Sequence, residues 1–324
     1  MIIIASDTLG TFILSSVCMT LVIGIKNITQ IGVSTFLLGK SMEDEHVMEA
    51  LGRTRVVVRG GKVVEVGEPM IKSCPLAERF DEPVLEFTKE SIRRNIENRI
   101  RKVGMFTKGR VVISDKDFVP FGASEMISFG IKCNILDGAV TVCDGAGTVV
   151  TGNPLLVQGI GGRMSGLVRT APIPEVIESI ERNGGFVLDK NTAVIDQVRG
   201  LELARGLGFS RVAVTITTPD EGEEIRSKFP GATIFATHLT GISKEGAERL
   251  VKVCDLVTGC ASRWVREVAG QRALLQAGAS IPVFAITERG KELVLSKIKG
   301  MDAQVLVKLQ RLPYQGERQP DPLR

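Results

Sequence analysis

The sequence predicts an α/β protein in which a parallel sheet, covered by helices on both faces, follows a smaller portion of mixed α+β structure. Beyond residue 172, short apolar segments alternate with helical segments of about ten residues or more, which is typical of parallel strands joined by helical crossovers. These apolar segments contain few polar residues, as expected of strands that are covered twice. Before about residue 150, glycine, aspartate and asparagine interrupt the β-forming runs, which favours irregular structure with turns. We therefore expect an apolar extension outside the fold (1–41), a mixed α+β domain (42–150), an α/β domain (151–310) and a flexible polar tail (311–324).

The composition is that of an ordinary soluble chain. Its 324 residues are enough for two domains with a sizeable core, and 44% hydrophobic with 24% charged residues excludes disordered and fibrous proteins. The net charge is +4, and no basic run is interleaved with aromatic residues, so we do not expect nucleic acid as a partner. Six cysteines occur without a secretory signal, which favours reduced thiols and a cytoplasmic location.

The first 41 residues have the apolar density of a membrane segment. Asp7 interrupts this segment, and the uncharged run from Gly10 to Ile25 is shorter than the roughly 20 residues that cross a bilayer. A membrane anchor, a buried or amphipathic extra helix and an upstream extension outside the working protein are the three alternatives. The extension is favoured because Met42 opens SMEDEHVMEALG, whose acidic residues suit a first helical turn. We therefore do not expect a membrane partner.

Local patterns predict the elements in order. Two valine-rich runs around Gly60 and Gly61 predict a β-hairpin at 54–69. Thr88 is an N-cap for a helix at 88–103, and a short strand is expected at 110–114, before irregular β structure. The α/β part then predicts strands at 186–189, 211–216, 233–237, 255–259 and 282–287, and helices at 174–184, 191–208, 219–229, 243–254, 262–278 and 288–298. This alternation is that of a Rossmann-like, doubly wound sheet.

Ligands of such sheets bind beyond the carboxyl ends of the strands. Polar residues follow five predicted strands there, although turns and helix caps also favour Thr and Asp. Capping does not account for His238 and Cys260, so we predict them as a catalytic pair. Cys260 also opens the segment CASRWVRE, where a helix dipole would stabilise its thiolate. A structural histidine and a small buried cysteine are the alternatives.

Four of the cysteines form a candidate metal centre. If NILDG forms a turn, Cys133 and Cys143 face each other across a hairpin, with Cys74 or Cys260 as a further ligand. An iron–sulfur cluster or another metal would be the cofactor. No compact C-x-x-C spacing occurs, and buried packing is the alternative.

The glycine-rich segment VQGIGGRMSGLVRT precedes a predicted helix. Consecutive backbone N–H groups of such a loop can bind an anion. The predicted anion-binding residues are Gly159, Gly161, Gly162, Arg163 and Gly166. The segment matches neither the dinucleotide fingerprint nor a Walker motif, and a tight turn between domains is the alternative.

Several blocks of the chain, GAGTVV, QGIGGRMSGLV, IDQ, THLTG and CASRWVRE, resemble the methanogenesis marker protein 8 family over about residues 42–309. The resemblance implies an anaerobic, methane-producing archaeal host and a role in methanogenesis or in maturation of methyl-coenzyme M reductase. It implies no particular reaction, cofactor or catalytic residue. An anaerobic host is compatible with an iron–sulfur cluster.

Three functions are therefore expected. The first is an accessory or maturation factor that binds a metal centre or an anionic cofactor, with methyl-coenzyme M reductase or its assembly factors as partners. The second is an enzyme that acts on a small anionic substrate at the strand ends through Cys260 and His238. The third is a docking module without chemistry.

Overall fold

The computed structural model describes residues 44–164 and 166–324. The extension predicted at 1–41 lies outside these residues. The chain from Met42 to Arg324 forms one compact unit. Within the described ranges, no helix is both long enough and apolar enough to cross a membrane.

The described part of the chain is a mixed α/β structure with two sheets. Its strands are β1 Glu45–Glu49, β2 Arg55–Arg59, β3 Lys62–Val66, β4 Gly138–Cys143, β5 Gly147–Thr151, β6 Leu167–Arg169, β7 Gly185–Val187, β8 Val212–Ile216, β9 Thr233–Ala236, β10 Leu256–Thr258, β11 Leu275–Ala277 and β12 Val283–Ala285. Its α-helices are α1 Lys89–Val103, α2 Ala123–Lys132, α3 Pro154–Gly161, α4 Pro174–Arg182, α5 Gln197–Gly206, α6 Pro219–Lys228, α7 Lys244–Val253, α8 Arg263–Arg272 and α9 Glu288–Lys299.

The larger sheet has the strand order β11-β12-β10-β9-β8-β4-β5-β7. Its four central strands, β10, β9, β8 and β4, are parallel. The strands on both sides of this block pair antiparallel, so the prediction of a parallel sheet holds only for the centre. A short turn joins β4 to β5, and strands joined by so short a connection can pair only in the antiparallel direction. This hairpin explains why the sheet becomes antiparallel on that side.

Helices pack on both faces of this sheet. One core contains Val214 and Ile234 from the strands with Leu201 and Leu250 from α5 and α7. On the other face, Phe235 packs with residues of α2, α3 and α9. The central strands are apolar on both faces for this reason, and full burial of a side chain such as Phe235 contributes about 1.5–3 kcal/mol.

The smaller sheet, with the order β3-β2-β1-β6, is antiparallel. The predicted hairpin is confirmed as β2 and β3, whose turn residues Gly60 and Gly61 both have positive φ. Helix α1 begins as expected at Thr88, whose side chain accepts a hydrogen bond from the amide of Ser91. Its apolar face, with Ile92 and Ile96, is buried in the core of this sheet.

Four local predictions are wrong. The segment after Met42 contains strand β1 rather than a first helical turn, because His46, Val47 and Met48 pair with β2 and are buried. Helix α2 lies in a region predicted as irregular β structure, while residues 110–114 form no strand. Strand β11 occupies the end of the predicted helix 262–278, where it pairs with β12.

The two sheets do not divide the chain at residue 150. Strands β4 and β5 precede that residue yet belong to the larger sheet, whereas β6 follows it and pairs with β1. The tail predicted to be flexible forms backbone hydrogen bonds with the body of the protein. The amide of Arg263 donates to the carbonyl of Arg324 at 2.7 Å, and the amide of Lys72 donates to the carbonyl of Asp321 at 2.6 Å.

Candidate functional site

His238 and Cys260 lie at equivalent places, two residues beyond the ends of the adjacent parallel strands β9 and β10. Both adopt left-handed backbone conformations, with φ of 59° for His238 and 41° for Cys260. This conformation costs about 1–3 kcal/mol for a residue with a side chain, and such strain concentrates at functional sites. The structure therefore places the two residues of the predicted catalytic pair at neighbouring strand ends.

The backbone of the His238 loop contacts the thiol of Cys260. The amide of Leu239 donates a hydrogen bond to its sulfur at 3.4 Å. Burial raises the pKa of Cys260, while hydrogen bonds from the amides of Leu239 and His238 and the charge of Arg266 act in the opposite direction. Helix α8 begins only at Arg263 after an N-cap at Ser262, so the prediction that Cys260 opens the helix and ionises readily there is wrong.

Arg266 is a buried cation beside this thiol, with 1% of its surface exposed. Its guanidinium donates hydrogen bonds to the carbonyls of Gly259, Cys260 and Ser280 and to the side chain of Gln319. In the described ranges no carboxylate forms an ion pair with it. Burial lowers the pKa of Arg266 to about 10, and the nearby thiols of Cys260 and Cys74 raise it. Thiolates at these two cysteines would therefore be its counter-charges.

The imidazole of His238 pairs with a carboxylate from the smaller sheet. Its Nε2 lies 2.9 Å from Oε2 of Glu49, at the end of β1, and Arg53 donates to the same oxygen at 2.9 Å. The hydrogen bond with His238 lowers the pKa of Glu49, as does the charge of Arg53. Arg53 also donates to the carbonyl of Thr240, so Glu49 and Arg53 fix the His238 loop against the smaller sheet.

The glycine-rich segment reaches the same place, but not as an anion-binding loop at a helix start. Gly159 and Gly161 lie in α3, and the segment ends in strand β6 rather than at the start of a helix. A Cβ on Gly159 would lie 2.2 Å from the carbonyl oxygen of Val112, so this glycine permits close packing. A Cβ on Gly166 would lie 2.5 Å from Nε2 of His238, which places the end of the segment against the imidazole.

The four predicted metal ligands do not come together. Cys74 and Cys260 are near one another, since each interacts with the charge of Arg266. Cys133 is exposed after α2, and Cys143 is buried at the end of β4, where its thiol contacts the carbonyl of Asp144. The hairpin turn joins β4 to β5, so Cys133 is not on it. No group of three or more His, Cys, Asp or Glu side chains in the described part of the chain is arranged to hold a metal ion.

Sequence reasoning missed Glu49, Arg53, Arg266 and Glu221. The first two lie in a strand and turn that were not predicted, and Arg266 looks like an ordinary helical arginine in the sequence. Glu221 lies in the first turn of α6, beyond the carboxyl end of β8, and burial raises its pKa to about 7. Its place after a predicted strand was the available signal.

Comparison with known proteins identifies the family. The family model described as "Uncharacterized protein conserved in archaea (DUF2099)" matches residues 46–299. The chain belongs to this DUF2099 family. The DUF2099 chain is 47% identical over 283 residues to Uncharacterized protein MJ0054 of Methanocaldococcus jannaschii, which covers 86% of the chain and 99% of that relative. It is also 38% identical over 71 residues to an NAD(P)+ glycerol-3-phosphate dehydrogenase of Deinococcus radiodurans, a match confined to 22% of the chain and 21% of that protein.

Proposed function

We propose that the chain is an enzyme that acts on a small anionic molecule at the carboxyl ends of β9 and β10, with Cys260 as the reacting group. The observation that carries the proposal is the left-handed turn at His238, which directs backbone amides at the Cys260 thiol beside the buried cation Arg266. Backbone N–H groups and a desolvated guanidinium both favour negative charge. The same features stabilise a thiolate and attract an anion.

The reaction in this proposal is a group transfer. The thiol proton of Cys260 passes to the imidazole of His238, and the sulfur donates an electron pair to an electrophilic carbon of the substrate. A bond between sulfur and carbon forms, the bond to the leaving group breaks, and His238 returns the proton to that group. Glu49 orients the imidazole through the 2.9 Å contact with its Nε2. A resident metal is not part of this proposal, because the described residues bring no third ligand to Cys74 and Cys260.

The larger sheet is proposed to be Rossmann-like and doubly wound. Four central parallel strands with helices on both faces support this arrangement. A solved structure in which α6 and α7 pack on opposite faces of the sheet would contradict the Rossmann-like arrangement.

A role in methanogenesis is proposed as the setting of this activity, with methyl-coenzyme M reductase or its assembly factors as partners. The support is the resemblance of the quoted sequence blocks to the methanogenesis marker protein 8 family, together with membership of an archaeal family. Deleting the gene from a methane-producing archaeon should impair methane formation at the reductase step. Unchanged methane production and unchanged reductase activity in the deletion strain would remove this setting.

The thiol proposal is tested by comparing two alkylating reagents of similar size. Iodoacetate is an anion and iodoacetamide is neutral, and peptide mass spectrometry gives the rate of each at a named cysteine. The exposed Cys133 is the internal reference. We expect the ratio of the iodoacetate rate to the iodoacetamide rate to be about tenfold higher at Cys260 than at Cys133, equal to ~1.4 kcal/mol of preference for the anion. Both Cys260 rates should rise with pH beyond the usual range of a thiol, because burial raises the pKa of Cys260.

Equal ratios at the two cysteines would contradict the proposal. So would a Cys260 that stays unmodified at every pH while Cys133 reacts. Either result would favour the docking module. A His238→Asn variant should slow the transfer chemistry while leaving the iodoacetate preference unchanged, because the preference depends on the amides and Arg266.

A further inference from the structure

Among the residues that the structure describes, two arginines beside the core of the smaller sheet have no carboxylate partner. Arg99 lies on α1, and Arg163 follows α3. Within residues 44–164 and 166–324, neither guanidinium forms an ion pair, whereas Arg110 behind them pairs with Asp144 at 2.8 Å. The charge of Asp81 raises the pKa of Arg163, but Asp81 is exposed and lies beyond ion-pair distance. We call Arg99 and Arg163 the arginine pair.

The charges of the arginine pair are partly removed from water. Burial lowers the pKa of Arg99 to about 10. Burial also lowers the pKa of Arg163, helped by the positive charge of Arg110 and opposed by Asp81. Desolvated cations without a counter-ion are costly, and proteins rarely keep two in contact. The missing partner is therefore an anion.

Among the described residues, the arginine pair uses few of its N–H donors. Nη1 of Arg99 donates to the backbone carbonyl of Arg163 at 3.1 Å, which holds the two residues in contact. The guanidinium of Arg99 lies over the ring of Phe80 at 5.2 Å, and that of Arg163 lies over the ring of Phe118 at 5.3 Å. Ring stacking covers a face of each guanidinium and leaves N–H edges to bind a ligand. Nε of Arg163 is buried and has no hydrogen-bond partner among the described residues.

We infer that the arginine pair binds an oxyanion, a phosphate or a carboxylate, carried by a small molecule. Arginine forks match both groups through paired N–H donors. Arg163 and Gly166 belong to the same glycine-rich segment, and the backbone of Gly166 lies against His238. We therefore place the oxyanion on the His238 side of the proposed thiol site, and the protection experiment in the Discussion tests this placement. The inference deepens the proposed function by naming the substrate's anionic group, and it rests on that function only for the identification of the bound molecule as a substrate.

The inference is tested by calorimetric titration of the full chain with inorganic phosphate and, separately, with acetate. The test variants are Arg99→Gln and Arg163→Gln, and the matched control is Arg94→Gln, which removes the same charge from an exposed position of α1. Arg99→Lys keeps the charge but removes the planar fork. Thermal unfolding of each variant reports whether it folds.

We expect saturable binding of at least one oxyanion, with Kd raised about tenfold or more by either test variant and unchanged by Arg94→Gln. Tighter binding of phosphate than of acetate identifies a phosphate site, and the reverse order identifies a carboxylate site. No saturable binding of either ion, or an equal effect of all three Gln variants, overturns the inference. If Arg99→Lys folds but the Gln variants do not, an unchanged Kd in Arg99→Lys also overturns the inference.

The two proposals fail separately. Cys260→Ser should retain oxyanion binding, because the arginine pair does not involve the thiol. Oxyanion binding together with no anion preference in Cys260 alkylation would support the arginine pair and remove the proposed thiol chemistry. A preference for iodoacetate at Cys260 without oxyanion binding would support the thiol chemistry and remove the arginine pair as a binding site.

Discussion

Replacing Gly166 by alanine tests whether this glycine permits the contact between its segment and His238. The new Cβ would lie 2.5 Å from Nε2 and 2.7 Å from Cδ2 of the imidazole, and 3.1 Å from Cβ of Glu49. The ring must therefore move by about 1 Å to restore an ordinary contact, which breaks its 2.9 Å hydrogen bond with Glu49. Loss of a hydrogen bond to a charged group costs about 1.5–3 kcal/mol. A left-handed conformation adds about 1 kcal/mol for alanine.

We expect Gly166→Ala to lower the free energy of unfolding by about 2–4 kcal/mol, measured by urea denaturation. Gly184→Ala is the matched control, because Gly184 has a φ of 78° and open space where the Cβ would be. Gly184→Ala should lower the free energy of unfolding by only the cost of the left-handed conformation, about 1 kcal/mol. When His238 is also replaced by alanine, the two glycine variants should lose similar amounts of unfolding free energy. Equal losses from the two variants in the wild-type background would refute the contact.

Four further predictions concern stability and thiol protection. Asp144→Asn should lower the free energy of unfolding by about 3–5 kcal/mol in urea, because it leaves a buried arginine unpaired; a loss no larger than that of Asp137→Asn, whose ion pair is partly exposed, would contradict this. Burial lowers the pKa of His46, so wild-type stability should fall as pH decreases below about 6.5, and His46→Gln should flatten that decrease in urea titrations at pH 5–8. Burial raises the pKa of Glu221 to about 7, so stability should fall as pH rises from 4.5 to about 7, and Glu221→Gln should abolish that slope. Cys254, buried in the core, should resist iodoacetamide in mass spectrometry until urea unfolds the chain.

The elements that local patterns determine were predictable from the sequence. Thr88 and the apolar spacing after it define α1, and the Gly60–Gly61 turn defines the first hairpin. The alternation after residue 172 correctly gave the order of strands and helices around β8, β9 and β10. Because parallel strands end at one edge of a sheet, the sequence pattern predicts His238 and Cys260 at neighbouring strand ends, which is where the structure has them; their role as a catalytic pair stays a prediction.

Features that depend on distant pairing were not predictable in this way. The strand β1 is short, and its partner β6 follows more than a hundred residues later, so no local pattern identifies it. Glu49 and Arg53 were missed with it, although they orient His238. The predicted ligation of a metal by Cys133 and Cys143 failed because α2, not a strand, precedes Cys133. The glycine spacing predicts a loop at a helix start, whereas Gly159 and Gly161 lie inside α3, because spacing alone does not distinguish a loop from close helix packing.

Protection of Cys260 by phosphate tests most directly whether the thiol and the arginine pair form one site. Alkylation of Cys260 by iodoacetate is followed by mass spectrometry at increasing phosphate concentration and constant ionic strength, with Cys133 as the reference in the same sample. We expect a saturable decrease of the Cys260 alkylation rate in the wild type, no change at Cys133, and loss of the protection in Arg163→Gln. A Cys260 rate that stays constant while calorimetry shows phosphate bound would contradict the single-site account.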